Sequence, residues 1–333
     1  MRGMRLGAAA LVPAAAALLL GAGAPAPWVA QLPAGIAPLP AGIAPPPVPA
    51  DNPLTAAKVA LGRRLFYDAD LSADGTMACA TCHEQKHAFA DGNATHPGVT
   101  GAPGRRNVPG LANVGWFAPL TAADPRQTTL EAQVLVPLLG THPVEMGMRG
   151  HTGAIARRLG RDPCYRAMFA RAFPGSGRIN LAHVAKAIAS FERTLVSYDS
   201  PYDHGALPPA ARAGQRLFAQ DCAACHAGPR FTDLAYHRLA PPAPADLGLA
   251  ETTGRAADAG KFRTPSLRNV ALTGPWWHDG SASSLEAAIA RHGPAHTPAD
   301  MAALVAFLTG LSDPAFTRRP ALSLPAAACG QPL

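Results

Sequence analysis

The chain has 333 residues, of which only 15% are charged, with a net charge of +7 and 35 prolines. At about 150 residues per domain it has room for two. Its basic residues are scattered along the chain, which excludes a dedicated nucleic-acid surface.

Taken in order, residues 1–24 read as an export signal. Arg2 and Arg5 form a short basic region, Leu6 to Leu20 is apolar, and Ala22-Gly23-Ala24 offers small residues for cleavage. The apolar run is shorter than the ~20 residues that span a bilayer. A cleaved signal and a periplasmic location are therefore expected, ahead of an uncleaved anchor. Residues 25–50 are rich in Pro and Ala and repeat LPAGIAP at 32–38 and 39–45. This composition favours an extended tether with no core of its own.

The folded part is expected from Asp51. Leu54, Ala57, Leu61 and Leu65 recur at helical spacing and lead into Gly62-Arg63-Arg64-Leu65-Phe66. The same pattern returns as Gly214-Gln215-Arg216-Leu217-Phe218. Two later stripes also match, Ala189-Ser190-Phe191 through Leu195 and Val305-Ala306-Phe307 through Leu311. Residues 92–128 and 228–275 read as loops and strand signals are scarce. The expected fold is mostly α and loop-rich, two domains in a pseudo-twofold internal repeat. Their expected bounds are 51–200 and 201–333.

Between the paired helices of each half lies a C-x-x-C-H stretch: Cys79, Cys82 and His83, then Cys222, Cys225 and His226. The spacing suits one c-type haem each, so both halves are expected to be cytochrome c-type haem domains. Two thiols add across the vinyl groups, and the adjacent His reaches the iron. A zinc site split between the two Cys pairs is the weaker alternative, because four thiolates have no need of the neighbouring His. Cys164 and Cys329 remain, as a disulfide or as two free thiols.

On these motifs the chain resembles the bacterial di-haem cytochrome c peroxidases and their MauG-like relatives. The matching stretches are ALGRRLFYDADLSADGTMACATCH (60–83), AFADG (88–92), HPVEMG (142–147), AIASFERTLVSYDSPYD (187–203) and FRTPSLRNVALTGPWWHDG (262–280). The HPVEMG and SPYD segments look closest to the MauG-like branch. The resemblance implies that the haem on Cys79 and Cys82 is peroxidatic, with Glu145 as distal acid/base and Gln133 beside it. It implies that the haem on Cys222 and Cys225 stores and relays electrons, with His278 alongside. It places a calcium ion at Asn107, Thr273 and Pro275.

Three positions depart from the family's pattern. The sixth ligand of the second haem, Met or Tyr in relatives, falls on His292, with His296 and Met301 nearby. A His/His haem has a lower potential than a His/Met one. The family's Trp between the haems should fall near LTAADP (120–125), where this chain has Ala122. The segment from His292 to Met301 is short. His96 lies where some relatives keep a second distal His, but its local match is poor.

The resemblance implies reduction of hydrogen peroxide to water with electrons from a cytochrome c or a small copper protein. The alternatives are MauG-like oxidation of a side chain on a partner protein, and a di-haem electron carrier without turnover. A homodimer is left open.

Overall fold

The computed structural model describes residues 32–241, 243, 245–293 and 295–333. The expected signal and the first residues of the Pro-rich segment lie outside them. Among the described residues no helix is long and apolar enough to cross a membrane.

Among the described residues, seven of the eleven α-helices frame the molecule: α1 (Ala56–Phe66), α2 (Leu130–Gln133), α3 (Pro163–Ala172), α4 (Leu181–Glu192), α5 (Pro209–Asp221), α6 (Leu285–Ala290) and α7 (Pro298–Thr309). Sheet in these residues is confined to two short antiparallel pairs. In β1 (Tyr236–His237) and β2 (Phe262–Arg263), Tyr236 faces Arg263. In β3 (Ala327–Ala328) and β4 (Gln331–Pro332), Ala327 faces Pro332. The helices start where capping chemistry allows. The Thr55 hydroxyl accepts from the Lys58 amide, Asn180 Oδ1 from the His183 amide, and Thr297 Oγ1 from the Asp300 amide. Pro298 takes the first turn of α7, where its missing N–H costs nothing.

Two helix crossings carry the repeat. In the first half α1 packs on α4, and in the second α5 packs on α7. Glycine permits both. A Cβ on Gly62 would lie 1.8 Å from the Ala187 carbonyl oxygen, and one on Gly214 would lie 1.9 Å from that of Ala303. One turn on, Phe66 meets Phe191 edge-on at 5.3 Å, and Phe218 meets Phe307 at 4.9 Å. The same phenylalanines then meet Phe89 at 5.9 Å and Phe231 at 5.8 Å. The helical stripes in the sequence therefore build two cores of one design.

The halves join through a pair of asparagines in the left-handed region, Asn113 (φ 61°) and Asn269 (φ 62°). Asn113 exchanges hydrogen bonds with the backbone of Ser197, accepting at 2.9 Å and donating at 2.9 Å. Asn269 Nδ2 donates to Ser197 Oγ at 2.9 Å, and its Oδ1 accepts from the Asp313 amide at 2.7 Å. The asparagine amides are satisfied at this seam, while the neighbouring Tyr198 hydroxyl and Ser312 Oγ are buried without a partner among the described residues.

Two expectations about the ends of the chain need correction. The Pro-rich segment contributes to a core: Leu32 and Ile36 are buried with the first half. The Trp116 indole donates to the Ala44 carbonyl at 2.9 Å, and Arg193 Nε to that of Pro47 at 3.1 Å. An extended polyproline chain has no internal hydrogen bonds, so its carbonyls are free to accept. The C-terminal tail also leaves the second half. Phe316 and Leu322 belong to the first core, the Tyr67 hydroxyl donates to the Leu322 carbonyl at 2.8 Å, and a Cys164–Cys329 disulfide ties the end down. The second core ends at Leu311.

Candidate haem sites

Each C-x-x-C-H stretch forms a turn that presents its histidine in the same way. The His83 amide donates to the Cys79 carbonyl and the His226 amide to that of Cys222, both at 3.0 Å. His83 Nδ1 lies 2.9 Å from the Phe89 carbonyl oxygen, and His226 Nδ1 lies 3.1 Å from that of Phe231. A carbonyl only accepts, so Nδ1 carries the proton and Nε2 keeps its lone pair for a metal. Phe89 and Phe231 both adopt positive φ (61° and 53°), which turns those carbonyls toward the rings. Burial lowers the pKa of both imidazoles, that of His226 to about 4, so each is a neutral ligand. The four cysteines of the two stretches are unpaired, while the other two form the disulfide. The residues fit two covalently held haems.

Within electrostatic reach of Cys82 lies Glu145. Its backbone is clamped: the Val99 amide donates to the Glu145 carbonyl, and the amide of Met146 donates to the Pro137 carbonyl. Gly98 lies so close that a Cβ would come 1.8 Å from the Val144 carbonyl oxygen. Burial raises the pKa of the Glu145 carboxyl, and burial first, then the charge of Glu145, raises that of the Cys82 thiol. Gln133, at the end of α2, buries an Oε1 that has no hydrogen-bond partner. Such an acceptor is matched to a donor that arrives with the ligand or with water. His96 is bonded through Nδ1 to the buried Asp91 at 2.7 Å, and His142 is exposed.

Around the second stretch lies a cavity of about 510 Å³ lined by Cys222, Cys225, His226, His278 and His292. The rings of His226 and His292 face each other with centroids 6.3 Å apart. His292 Nδ1 lies 2.8 Å from the Ala288 carbonyl oxygen, so here too Nε2 is left for a metal. His296 lines the same cavity, and Met301 does not. His278 stacks on Phe262 at 4.0 Å and accepts from the Asn107 amide through its carbonyl at 2.8 Å.

Asn107 and Thr273 line this cavity as well. Asn107 Nδ2 donates to the carbonyls of Asn93 and Ala94, and the Thr273 hydroxyl donates to that of Val270. Pro275 follows a cis bond from Gly274. This set holds oxygen donors and no carboxylate.

Ala122 also faces the second cavity, and its carbonyl accepts from the Arg263 amide at 2.9 Å. The aromatic ring that belongs to both regions is Phe117, a first-core residue lining the second cavity beneath the Arg263 guanidinium at 5.5 Å. Trp116 points elsewhere, edge-on to Tyr198 at 6.0 Å. One buried group escaped the sequence reading: Glu192, inside the AIASFERTLVSYDSPYD stretch, whose Oε2 has no partner. The signal was present as a carboxylate at a position where the repeat has Leu308.

Residues 56–207 match the family profile described as di-haem cytochrome c peroxidase, and residues 211–312 match that of cytochrome c. Methylamine utilization protein MauG of Methylorubrum extorquens is 39% identical over 251 residues, covering 72% of this chain and 70% of that protein. Cytochrome c551 peroxidase of Pseudomonas aeruginosa is 32% identical, covering 78% and 80%. Among solved structures, a MauG-like protein associated with microbial copper homeostasis superposes with a TM-score of 0.81 at 38% identity, covering 86% of this chain and 98% of that one.

Proposed function

The chain belongs to the di-haem cytochrome c peroxidase family, which includes MauG, and from that membership we propose how its two sites divide the work. It is an oxidoreductase that acts on hydrogen peroxide and carries two c-type haems. In our reading the first haem, on Cys79, Cys82 and His83, is where peroxide is reduced to water. The second, on Cys222, Cys225 and His226, receives electrons from a small redox protein. Two electrons and two protons convert one peroxide to two waters.

The observation that carries this reading is the asymmetry of the open face. A carboxyl whose pKa is raised by burial (Glu145) lies within electrostatic reach of Cys82, and an unpartnered amide oxygen (Gln133) is assigned beside it by the family resemblance. At the second stretch the His292 ring lies 6.3 Å from that of His226. The haem iron supplies a Lewis acid and a source of electrons. Glu145 takes the proton from the near oxygen of peroxide and returns it to the departing one. Gln133 orients the same oxygens. At the second site His226, kept neutral by burial, and His292 would hold the iron. That pairing favours a low-spin, low-potential relay.

Calcium at Asn107, Thr273 and Pro275 is retained as part of the proposal, because a hard cation takes such oxygen donors. So is periplasmic location, which rests on the export-type N-terminus. MauG-like oxidation of a partner protein is the second reading, favoured by the 39% and 38% identities above. Ala122, in place of an interhaem Trp, weighs against it.

The test is spectroscopic. Record electronic and EPR spectra of the oxidised and half-reduced protein, then add peroxide. A high-spin haem that reacts rapidly, and stops doing so in Glu145→Gln, is the expected result. Two low-spin haems inert to peroxide in both redox states would sink the reading.

A further inference from the structure

Superposing the two halves by their own repeat isolates one chemical difference in the haem-facing wall. The Gly62 and Gly214 crossings pair Ala187 with Ala303. The aromatic contacts pair Phe191 with Phe307. The next residue along each helix is then Glu192 in α4 and Leu308 in α7. Leu308 lines the second haem cavity and is 6% exposed. Glu192, at the matching place, is 9% exposed and lies within electrostatic reach of Cys79, a haem attachment point. One half has an apolar wall here and the other has a carboxyl.

Among the described residues no partner neutralises that carboxyl. Its Oε2 is buried and makes no hydrogen bond. The adjacent Arg193 is committed elsewhere: Nη1 and Nη2 donate to Glu131 at 2.8 and 2.9 Å, and Nε donates to the Pro47 carbonyl. Glu131, on α2, accepts from Asn52 as well. From α1, the Lys58 ammonium is turned to Asn52 Oδ1 and the Pro53 carbonyl, and on α4 itself Lys186 donates to the Asp51 carbonyl. The charges that face Glu192 are thus the closed Arg193–Glu131 pair and whatever the haem brings, its iron and its propionates.

An isolated carboxylate in such a place is unstable, so the group holds its proton until a nearby positive charge offsets ionisation. We propose that Glu192 exchanges a proton with the redox state of the first haem: it is a neutral carboxylic acid when the iron is ferrous and gives its proton to bulk water when the iron becomes ferric. In the reverse direction one electron from the donor and one proton from water arrive together. Glu192 does not touch peroxide in this scheme. It sets how much of the electron's charge the first site must carry alone, and the second site, with Leu308, has no such device. The inference rests on the two haems and is independent of the peroxidase assignment.

The experiment is a redox titration of the intact holoprotein, following each haem by its own visible bands, at several pH values either side of about 8, where burial places the Glu192 pKa. A tenfold change in proton activity corresponds to about 59 mV for a one-electron couple. The first haem's midpoint is expected to fall by up to that amount per pH unit. Glu192→Gln should flatten the slope while leaving the second haem's potential and slope unchanged. Glu192→Leu, which copies Leu308, serves if the amide variant takes up haem poorly. Redox-difference infrared spectra should show a carboxylic acid carbonyl band that disappears on oxidation and is missing from the variant. A slope that survives in both variants, that is absent from the wild type, or that is lost in Glu145→Gln instead, would overturn the proposal. Because no peroxide is used, failure here is distinct from failure of the peroxidase reading.

Discussion

The two halves of this chain share a scaffold and differ in what faces the haem. Both cross a pair of helices at a glycine, seat three phenylalanines at the crossing, and fix a histidine by a carbonyl on Nδ1. On that common frame the first half carries Glu145, whose carboxyl pKa burial raises, and Gln133 and Glu192, each with a buried oxygen that has no partner among the described residues. The second has His292 and Leu308 lining its cavity. In the reading proposed above, attachment chemistry is duplicated, while reactivity is set by a few side chains on the opposite wall. Each of these can be changed without disturbing the frame.

The largest expected effect is on chemistry at the first site. Glu145→Gln should slow the reaction with peroxide by about 10²–10⁴-fold, the usual contribution of a positioned acid/base. Stopped-flow spectra would measure it, and the second haem's spectrum should not change. If the rate is retained, the contrast between the halves loses its catalytic meaning.

Glu192 makes the first half sensitive to alkali. Burial raises its folded pKa to about 8, above its ordinary 4.5. The unfolded chain therefore ionises first, and stability falls as pH rises through about 4.5 to 8, then levels off. Glu192→Gln should remove that fall, raising stability at the alkaline end by a few kcal/mol. Denaturant titrations of the reduced holoprotein, in which Glu192 keeps its proton, at both ends of the window would show it. Equal pH profiles for variant and wild type would contradict the burial of an unpartnered carboxyl.

Gly62→Ala and Gly214→Ala test the shared frame. Each methyl would lie within 2 Å of a carbonyl oxygen on the facing helix. Either change should cost about 1–3 kcal/mol or more, as overpacking does. The effect should be local, with Gly62→Ala disturbing the first haem's spectrum and Gly214→Ala the second's. A loss spread equally over both haems would mean that the halves do not pack as separate cores.

His292→Ala should have the smallest effect on the fold, since the side chain is exposed. It should convert the second haem from low-spin to high-spin and raise its potential, read by EPR and redox titration. An unchanged low-spin signal would move the sixth ligand elsewhere, His296 being the other histidine lining the cavity.

Much of this was legible in the residues. The C-x-x-C-H stretches, the Gly-to-Phe pattern before each, and the closing stripes depend on local spacing, which the backbone geometry converts directly into place. HPVEMG also carried Glu145 to the first site by resemblance. The tail was not legible. Residues after Leu311 have no periodicity, and only packing shows that Phe316 and Leu322 return to the first core. The Pro-rich segment misled for a related reason, because its composition speaks to the chain in isolation and not to a Trp116 or Arg193 that can bind its carbonyls.

By itself, then, the sequence pointed to two haems, offered the cysteines and histidines proposed to hold them, and showed that the halves repeat. These are covalent and short-range matters. Tertiary structure alone decided that Cys164 meets Cys329, that His292 rather than Met301 faces His226, and that Glu192 is left without a partner. Each of those depends on which distant residues share a wall and which of their donors are already spent. Spacing along the chain does not encode that.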